Sequence, residues 1–312
     1  MAATSSRHSA DLLIVGGGPA GCAAALMAAS LGMRSILIEA DALCGKLQHI
    51  AAVNNVVGGF SSGPELGAAI AKDIGRTRLC TVELGVCATE IRADDDRVTV
   101  TTDTGQHLDA PYVVVATGVS PLPVDDAPWL AVATEAATPT LWGARLPDTS
   151  RGSLLILGAD RPLGTFLRAH PALDATVLVA YPQDDDYKVD EVRVDPRVTL
   201  LPVTHLTLRP GGGSLLAAEW TDRQGHPGAA TADGAFLNLG SAPTPPPGDP
   251  VRGSDGYCPP DQQHPRILTA GDLRSSRFQR IMVATGSGSE AALRAYYAAQ
   301  DLPQVGQDGV AY

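Results

Sequence analysis

The stretch Asp11-Leu-Leu-Ile-Val-Gly-Gly-Gly-Pro-Ala-Gly-Cys22 decides the fold. Its apolar run from Leu12 to Val15 is typical of a buried parallel strand, and the glycines that follow have the pattern Gly16-x-Gly18-x-x-Gly21. An alanine-rich helix is predicted from Cys22 to Leu31, and a second strand from Ser35 to Glu39. This order of strand, turn, helix and strand predicts the opening of a dinucleotide-binding unit.

Each glycine of this turn answers a different physical demand. Gly16 permits the sharp turn, Gly18 lets the backbone approach a pyrophosphate, and Gly21 allows the helix to pack closely on the strand. The helix N-terminus then offers free N–H groups to the phosphates, while Glu39 can accept hydrogen bonds from a ribose. The alternative is a glycine turn of purely structural use.

Leu12 to Met33 contains no charged residue and is long enough for a membrane span. The glycines and Pro19 interrupt it, so a strand, a turn and a helix explain it better, and we expect no membrane partner. Met1 to Ala10 lacks the apolar core of a signal peptide.

Composition limits the class of protein. A length of 312 residues predicts about two domains, and 44% hydrophobic against 18% charged residues excludes disorder over most of the chain. A net charge of −11 argues against nucleic-acid binding. The five cysteines have no zinc-type spacing, so no metal site is expected, and their odd number fits a reducing, cytoplasmic compartment.

The rest of the chain predicts an α/β protein with two Rossmann-like three-layer nucleotide-binding domains, the second inserted in the first. The expected domains are residues 1–122 and 244–312 for the first and 123–243 for the inserted one. The segments behind this prediction are a hairpin from Arg97 to His107, strands at Tyr112–Ala116, Ser153–Gly158, Ala175–Ala180, Ser214–Thr221, Ala235–Leu239 and Arg266–Ala270, a connector from Ser241 to Pro260, and a closing helix from Arg280 to Gln300.

Several short segments resemble a known family. Cys44-Gly-Lys-Leu47 resembles the motif G-G-Q-L, and Asn55 and Gly58 stand where that family has E-N-W-P-G. Ala270-Gly-Asp-Leu273 resembles A-G-D-V, and Phe278-Gln-Arg-Ile281 resembles Y-R-Q-A. The chain thus resembles the low-molecular-weight thioredoxin reductases, which are FAD-dependent pyridine nucleotide-disulfide oxidoreductases. The resemblance implies FAD as cofactor and a homodimer.

The resemblance also implies roles for individual residues. Asp272 would bind the ribitol chain of FAD, although a helix N-cap is its plainer role. Lys46, where the family has glutamine, would either favour anionic reduced flavin or extend to solvent. The implied FAD-binding set is Gly16, Gly18, Pro19, Ala20, Gly21, Glu39, Ala40, Gly45, Lys46, Leu47, Asn55, Val86, Ala116, Thr117, Gly118, Gly271, Asp272, Arg280 and Ile281. Of these, Gly45 to Leu47 would line the isoalloxazine, Asn55 would hold the flavin region, and the helix starting at Arg280 and Ile281 would face the N1–C2=O edge.

Two departures from the family matter for function. Leu141-Trp-Gly-Ala-Arg145 stands where the relatives carry the dithiol motif C-A-T-C-D, so reduction of thioredoxin by the usual relay is not expected. Cys80 and Cys87 are expected to be buried structural thiols. In the inserted domain, Asp160 replaces a glycine of the nicotinamide motif, Pro162 stiffens the first helical turn, and the acidic run Asp184–Asp186 would repel a 2′-phosphate.

These features predict an FAD-dependent oxidase or dehydrogenase that acts directly on a small organic substrate, without a redox disulfide and without NADPH. The electron acceptor would be O2 or another oxidant, and the pathway a specialised biosynthetic one. His49 is a candidate base or a solvated loop residue, and Trp142 covers the flavin or an aromatic ligand, or fills the space of the lost disulfide. Cys44 is a thiolate beside the flavin or a small buried residue. The alternatives are a ferredoxin-type or NAD(P)H-type flavin reductase and a non-catalytic FAD-binding protein.

Overall fold

The computed structural model describes residues 10–142, 144 and 151–300. Gly143 and Arg145, in the segment that replaces the dithiol, lie outside this range.

The chain forms seventeen strands and four α-helices within these residues. The first part contains β1 Leu12–Val15, α1 Pro19–Ser30, β2 Ser35–Glu39, α2 Gly63–Ile74, β3 Cys80–Leu84, β4 Ala88–Ala93, β5 Val98–Thr102, β6 His107–Ala110, β7 Tyr112–Val115 and β8 Val119–Pro121. The middle contains β9 Leu130–Val132, β10 Arg151–Leu157, α3 Pro162–Ala169, β11 Asp174–Pro182, β12 Val198–Pro210, β13 Leu216–Asp222, β14 Pro227–Ala232 and β15 Gly234–Leu237. The last part contains β16 Ser241–Pro243, β17 Ile267–Thr269 and α4 Ile281–Ala299. Short 3-10 helices span Gly45–His49, Val124–Asp126, Gln183–Val189, Pro260–Gln262 and Gly271–Arg274.

The first sheet is parallel and has the strand order β17-β7-β1-β2-β3. Its central strand β1 is fully buried, as expected for Leu-Leu-Ile-Val between two covered faces. One face packs against α1, α2 and α4 in a core rich in alanine. The other packs against the antiparallel sheet β4-β5-β6 through Ile91, Val98 and Val100. The predicted three-layer arrangement is confirmed.

The inserted sheet has the order β14-β13-β12-β11-β10-β15, with β9 pairing to β12. Strands β15, β10, β11 and β12 are parallel, and the hairpin β13-β14 extends the sheet in antiparallel fashion. Helix α3 packs on one face through Phe166 and Leu167. This is the second Rossmann-like unit that the sequence predicts, and the α/β fold class is confirmed.

The crossings between the two units pair with each other. β8 and β16 form a two-stranded antiparallel ribbon, so the chain enters and leaves the inserted unit side by side. The predicted connector from Ser241 to Pro260 therefore begins as a strand, and its Pro247 carbonyl accepts a hydrogen bond from the Ile91 N–H. The domain boundaries at 122/123 and 243/244 stay predictions.

The structure contains elements that the sequence patterns did not predict. Helix α2 begins with Ser62 as N-cap, whose hydroxyl accepts a hydrogen bond from the Glu65 N–H, while the Glu65 carboxylate accepts one from the Ser61 N–H. Strand β12 carries Pro202 and a register shift between Val203 and His205. Helix α1 starts at Pro19 rather than Cys22, because proline is favoured in the first helical turn. Within the described ranges no helix is long and apolar enough to cross a membrane.

The contact between α1 and α4 depends on Gly288. A Cβ at this position would lie 1.9 Å from the Ala20 carbonyl oxygen, whereas a Cβ at Gly286, on the same helix, would meet nothing within 4 Å. We expect Gly288→Ala to lower the free energy of unfolding by about 1–3 kcal/mol through overpacking. Gly286→Ala should instead raise it by about 0.5–1 kcal/mol, because alanine is the better helix former.

Urea unfolding of the two apoproteins, followed by circular dichroism, measures both changes. Equal effects of the two substitutions would show that the close approach at Ala20 does not constrain the helix pair.

Candidate cofactor and substrate site

The glycine turn after β1 is held by direct backbone contacts. Gly16 has φ = +102°, and a Cβ there would lie 2.6 Å from the Ala116 carbonyl oxygen at the end of β7. A Cβ on Gly21 would lie 1.8 Å from the Gly16 carbonyl oxygen, so the start of α1 rests on the turn itself. Gly16 and Gly21 thus have the structural roles that the sequence assigned to them, a sharp turn and a close helix approach.

Gly18 differs from its neighbours because a Cβ there would meet nothing within 4 Å. Open space at the N-terminus of α1, next to Pro19 and Ala20, is what a pyrophosphate requires. The buried Thr117 hydroxyl, beside the same turn, has no hydrogen-bond partner among the described residues. An open cradle and an orphaned hydroxyl both fit a bound dinucleotide such as FAD.

Glu39 closes β2 and faces the turn. Its two carboxylate oxygens accept hydrogen bonds from the Gly17 N–H at 2.6 Å and from the Asp41 N–H at 3.0 Å. A carboxylate has about four acceptor positions, so Glu39 retains capacity for a ribose diol. The turn after β3 is also bonded to Glu39, because the Val86 N–H donates to the Glu39 carbonyl oxygen.

Lys46 and Asp272 form the charged centre of the site. Lys46 lies on the 3-10 helix Gly45–His49, beside the buried Leu47, and its ammonium donates to the Val119 carbonyl oxygen. Gly118, with φ = +67°, lies next to it: a Cβ there would be 3.6 Å from the Lys46 Nζ. Burial lowers the pKa of Lys46, while the negative charges of Asp272 and Glu39 oppose that change. Although protein atoms surround the ammonium group, the residue as a whole is exposed, so a ligand such as a flavin can reach it.

Asp272 belongs to the 3-10 helix Gly271–Arg274, in which Ala270 is the N-cap, so the N-cap alternative for Asp272 is wrong. Burial raises the pKa of its carboxyl, and three cations, Lys46, Arg161 and Arg280, act against that rise. Gly271, with φ = +70°, precedes it and donates its N–H to the Ser287 hydroxyl on α4 at 2.8 Å. This bond ties the segment that carries Asp272 to the second turn of α4.

The start of α4 is uncapped by any side chain. Arg280 is the N-cap residue, Ile281 is the first helical residue, and no acidic residue lies in the first turn. A 19-residue helix with free N-terminal N–H groups favours a partial negative charge in front of it. Such an arrangement fits the edge of a flavin, where negative charge accumulates on reduction.

The other members of the implied FAD-binding set are less constrained. Asn55 is exposed, on the irregular segment between the 3-10 helix Gly45–His49 and α2, and Ala40 is exposed directly after β2. The structure brings Gly16, Glu39, Thr117, Lys46 and Asp272 together at the carboxyl ends of the parallel strands, where ligands of open α/β sheets bind.

The cysteines divide into two groups. Cys87 is exposed and Cys80 half-buried, so the expectation that both are buried is wrong. Cys80 is the first residue of β3, the edge strand of the first sheet, and Cys87 lies shortly after that strand. Cys22 and Cys44 are buried together. Their mutual hydrogen bond raises the pKa of Cys22, with burial acting in the same direction, and lowers that of Cys44.

The turn before α3, which corresponds to the nicotinamide motif of the family that the sequence resembles, is held by side-chain hydrogen bonds. Gly158 has φ = +108°, and the Asn238 side chain donates to the carbonyl oxygens of Gly158 and Asp160. The acidic run after β11 makes its own pairs, Lys188 with Asp185 and Arg193 with Asp186. Burial, together with a hydrogen bond to Asp186, raises the pKa of Tyr181 to about 12.

A cavity of about 170 Å³ lies between the 3-10 helix Gly45–His49 and α3. His49 and Trp142, the two predicted catalytic residues, both line it, although they come from different units of the chain. The backbone next to Trp142 is anchored, because the Leu141 N–H donates to the Leu237 carbonyl oxygen of β15. His170 also lines the cavity, and its ring contacts Phe166 with 4.7 Å between ring centroids.

Sequence patterns missed Phe166, His170 and Arg161. The first two lie on or just after α3, whose amphipathic pattern is a usable signal for Phe166. Arg161 donates a hydrogen bond to the Gln279 carbonyl oxygen at 3.2 Å, a contact between distant parts of the chain that no local pattern reveals. The described residues contain no cluster of three or more metal-ligating side chains.

The open space at Gly18 gives a test of cofactor binding. Gly18→Ala should leave the unfolding free energy of the apoprotein within about 0.5 kcal/mol of wild type, because its Cβ meets no protein atom. FAD affinity should fall at least tenfold, since the same Cβ would occupy the approach of the pyrophosphate. Fluorescence titration of apoprotein with FAD measures the affinity.

Gly16→Ala is the matched control. It should destabilise the apoprotein itself by about 1–3 kcal/mol, because the backbone there is left-handed and the Ala116 carbonyl lies in the way. Unchanged FAD affinity in Gly18→Ala would place the pyrophosphate elsewhere.

Comparison with known proteins gives two kinds of relative. Residues 10–122 match the family described as pyridine nucleotide-disulphide oxidoreductase. Over 299 residues the chain is also 25% identical to one component of the alkyl hydroperoxide reductase of Staphylococcus aureus, and the match covers 92% of this chain and 58% of that protein. The chain therefore spans somewhat more than half the length of this curated relative.

Among solved structures, thioredoxin reductase of Lactococcus lactis has a TM-score of 0.74 at 18% identity, covering 94% of this chain and 100% of the other. Thioredoxin reductase of T. acidophilum has a TM-score of 0.71 at 18% identity, covering 94% and 99%. At this identity the likeness shows a shared fold. Residues 10–122 thus match the pyridine nucleotide-disulphide oxidoreductase family, and the chain as a whole has the fold of the thioredoxin reductases.

Proposed function

We propose that this protein oxidises a small organic substrate directly, in the cavity between the 3-10 helix Gly45–His49 and α3. The observation that carries the proposal is the pairing of His49 and Trp142 across that cavity, with no cysteine among its lining residues. A histidine and an aromatic wall suit an organic molecule, whereas a disulfide relay needs thiols. Bound FAD would supply the acceptor for the two electrons of the substrate, and O2 or another oxidant would restore it.

The residues of the chain have separable tasks in this proposal. His49 takes a proton from the substrate on an imidazole nitrogen, and histidine is the side chain most often used as a general base near neutral pH. Trp142 and Phe166 provide apolar walls that hold the substrate and exclude water. The hydrogen bond from His170 Nδ1 to the Phe166 carbonyl oxygen, 2.9 Å long, orients the His170 ring, which also lines the cavity.

The turn before α3 supports independence from NADPH. Asp160 adds a negative charge and a side chain where a pyrophosphate would approach, and Asn238 already holds the carbonyls of this turn. We infer that the inserted domain, residues 123–243, no longer binds a nicotinamide cofactor and instead forms one wall of the substrate cavity. The opposite wall of the cavity would belong to the first domain, which consists of residues 1–122 and 244–312.

A reductase is the second candidate. The alkyl hydroperoxide reductase component and the thioredoxin reductases are reductases by name, and the inserted unit keeps a strand, a glycine turn and a helix in their order. For the first candidate, the enzyme that oxidises an organic substrate directly, we further propose that it is a cytoplasmic homodimer and acts in a specialised biosynthetic pathway.

A panel of small organic donors, mixed anaerobically with the holoprotein, tests direct oxidation. The panel would contain aromatic alcohols, amines, hydroxy acids and reduced heterocycles, and the readout is loss of the visible flavin band. Bleaching by one class supports the proposal. If a strong chemical reductant bleaches the flavin and neither an organic donor nor NADPH or NADH does, the protein is a non-catalytic flavoprotein.

His49→Ala should lower the rate of flavin bleaching by the active donor about 100-fold or more, the usual contribution of a general base. The FAD content should not change, because His49 is exposed and lies after the flavin-lining residues. His205→Ala, an exposed histidine on β12 away from the cavity, is the control and should react at the wild-type rate. An unchanged rate in His49→Ala would remove this residue from the mechanism.

A further inference from the structure

Two arginines from different units converge on one backbone oxygen. Arg161, just before α3, donates from Nη1 to the Gln279 carbonyl oxygen at 3.2 Å, and Arg280 donates from its own Nη1 to the same atom at 3.0 Å. The two guanidinium groups are therefore neighbours at the junction of the inserted unit and the start of α4. A single carbonyl oxygen carries only a partial charge and cannot neutralise both.

The segment that presents this oxygen is held in place. The Gln279 side chain donates to the Tyr257 hydroxyl and to the Ser275 carbonyl oxygen. Phe278, directly before it, has φ = +61°, which is uncommon for an aromatic residue. A strained backbone conformation of this kind persists where the surrounding structure enforces it, and such sites are often functional.

The arginine pair has donors to spare. Each guanidinium has five N–H groups, and within the described residues neither Arg161 nor Arg280 makes an ion pair with a carboxylate at 4.0 Å or less. Lys46 is a third cation nearby. It interacts electrostatically with the Asp272 carboxylate, as Arg161 and Arg280 do. Glu39 also acts on Lys46, and Asp160 directly precedes Arg161, so what this group offers an anion is the unused N–H donors of the two guanidinium groups. An anionic ligand would complete the group.

Arg161 stands next in the chain to a residue that lines the proposed substrate cavity. Pro162, the first residue of α3, lines the cavity and directly follows Arg161. Within the described part of the chain, the lining contains no lysine, arginine, aspartate or glutamate, and Trp142 and Phe166 are its aromatic walls. A volume of about 170 Å³ is close to that of engineered cavities that hold benzene, roughly 150 Å³, so one aromatic ring fits.

We propose that the substrate is a small aromatic or apolar organic acid, whose carboxylate binds between Arg161 and Arg280 and whose body fills the cavity. This inference rests on the proposed function, because it names the substrate class of the same site. Arginine suits the task, since its planar fork binds a carboxylate through two parallel hydrogen bonds. Arg161 is then a binding residue contributed by the inserted unit in place of its nicotinamide function.

Calorimetric titration of the oxidised holoprotein with benzoate and with benzamide tests the carboxylate site. The two probes have nearly the same shape and differ in charge. Wild type should bind benzoate at least tenfold more tightly than benzamide. Arg161→Gln and Arg280→Gln should each remove most of that preference, while Arg168→Gln, at an exposed position on α3, should keep it.

Three results would overturn the inference: no benzoate binding by wild type, equal binding of the two probes, or an undiminished preference in Arg161→Gln. A fourth would be a loss of FAD affinity in Arg161→Gln without a change in benzoate preference, which would assign the pair to the cofactor. Because these titrations involve no turnover, they separate the carboxylate site from the proposed function. If donors bleach the flavin but benzoate does not bind selectively, only the carboxylate site fails.

Discussion

The close packing around Ala20 is the constraint on which the rest of the structure depends. Gly288 of α4 has no room for a side chain because the Ala20 carbonyl oxygen is there, and a Cβ on Gly271 would lie 3.0 Å from the Ala20 Cβ. Gly21 rests in the same way on Gly16. These contacts bring the start of α1, the first half of α4 and the residue before Asp272 to one edge of the sheet. The open turn at Gly18 and the position of the uncapped start of α4 follow from this backbone packing, and the charged side chains lie around them.

Charge around the site follows from this arrangement. Lys46 reaches the centre from the loop after β2, Asp272 from the segment before α4, and Arg161 from the inserted unit. At the turn before α3 in the inserted unit, the Asn238 side chain donates to the Asp160 carbonyl oxygen, and Arg161 donates to the Gln279 carbonyl oxygen. This contact links the two units directly, and the cavity that His49 and Trp142 line lies between the same two units.

How much the sequence predicts depends on whether the signal is local. The unit from β1 to β2 was predicted closely, because buried apolar runs and a glycine turn are local patterns, and β2 has the predicted bounds. Helix α2 was missed although its capping signal, Ser62 followed by Glu65, was present. Strand β12 was missed because Pro202 interrupts its pattern and only pairing on both sides fixes it. The pairing of His49 with Trp142 and the contact of Arg161 with Gln279 join distant segments, so their proximity needs the fold.

The central claim is that a substrate, and not a nicotinamide cofactor, reduces this flavoprotein. Anaerobic addition of NADPH, and then of NADH, to the purified holoprotein tests it most directly, with the visible flavin band as readout. We expect that neither nucleotide bleaches the band over minutes, because Asp160 would repel a pyrophosphate and Asn238 already donates to the Gly158 and Asp160 carbonyl oxygens of this turn. Rapid bleaching by either nucleotide would contradict this claim and identify the protein as a reductase.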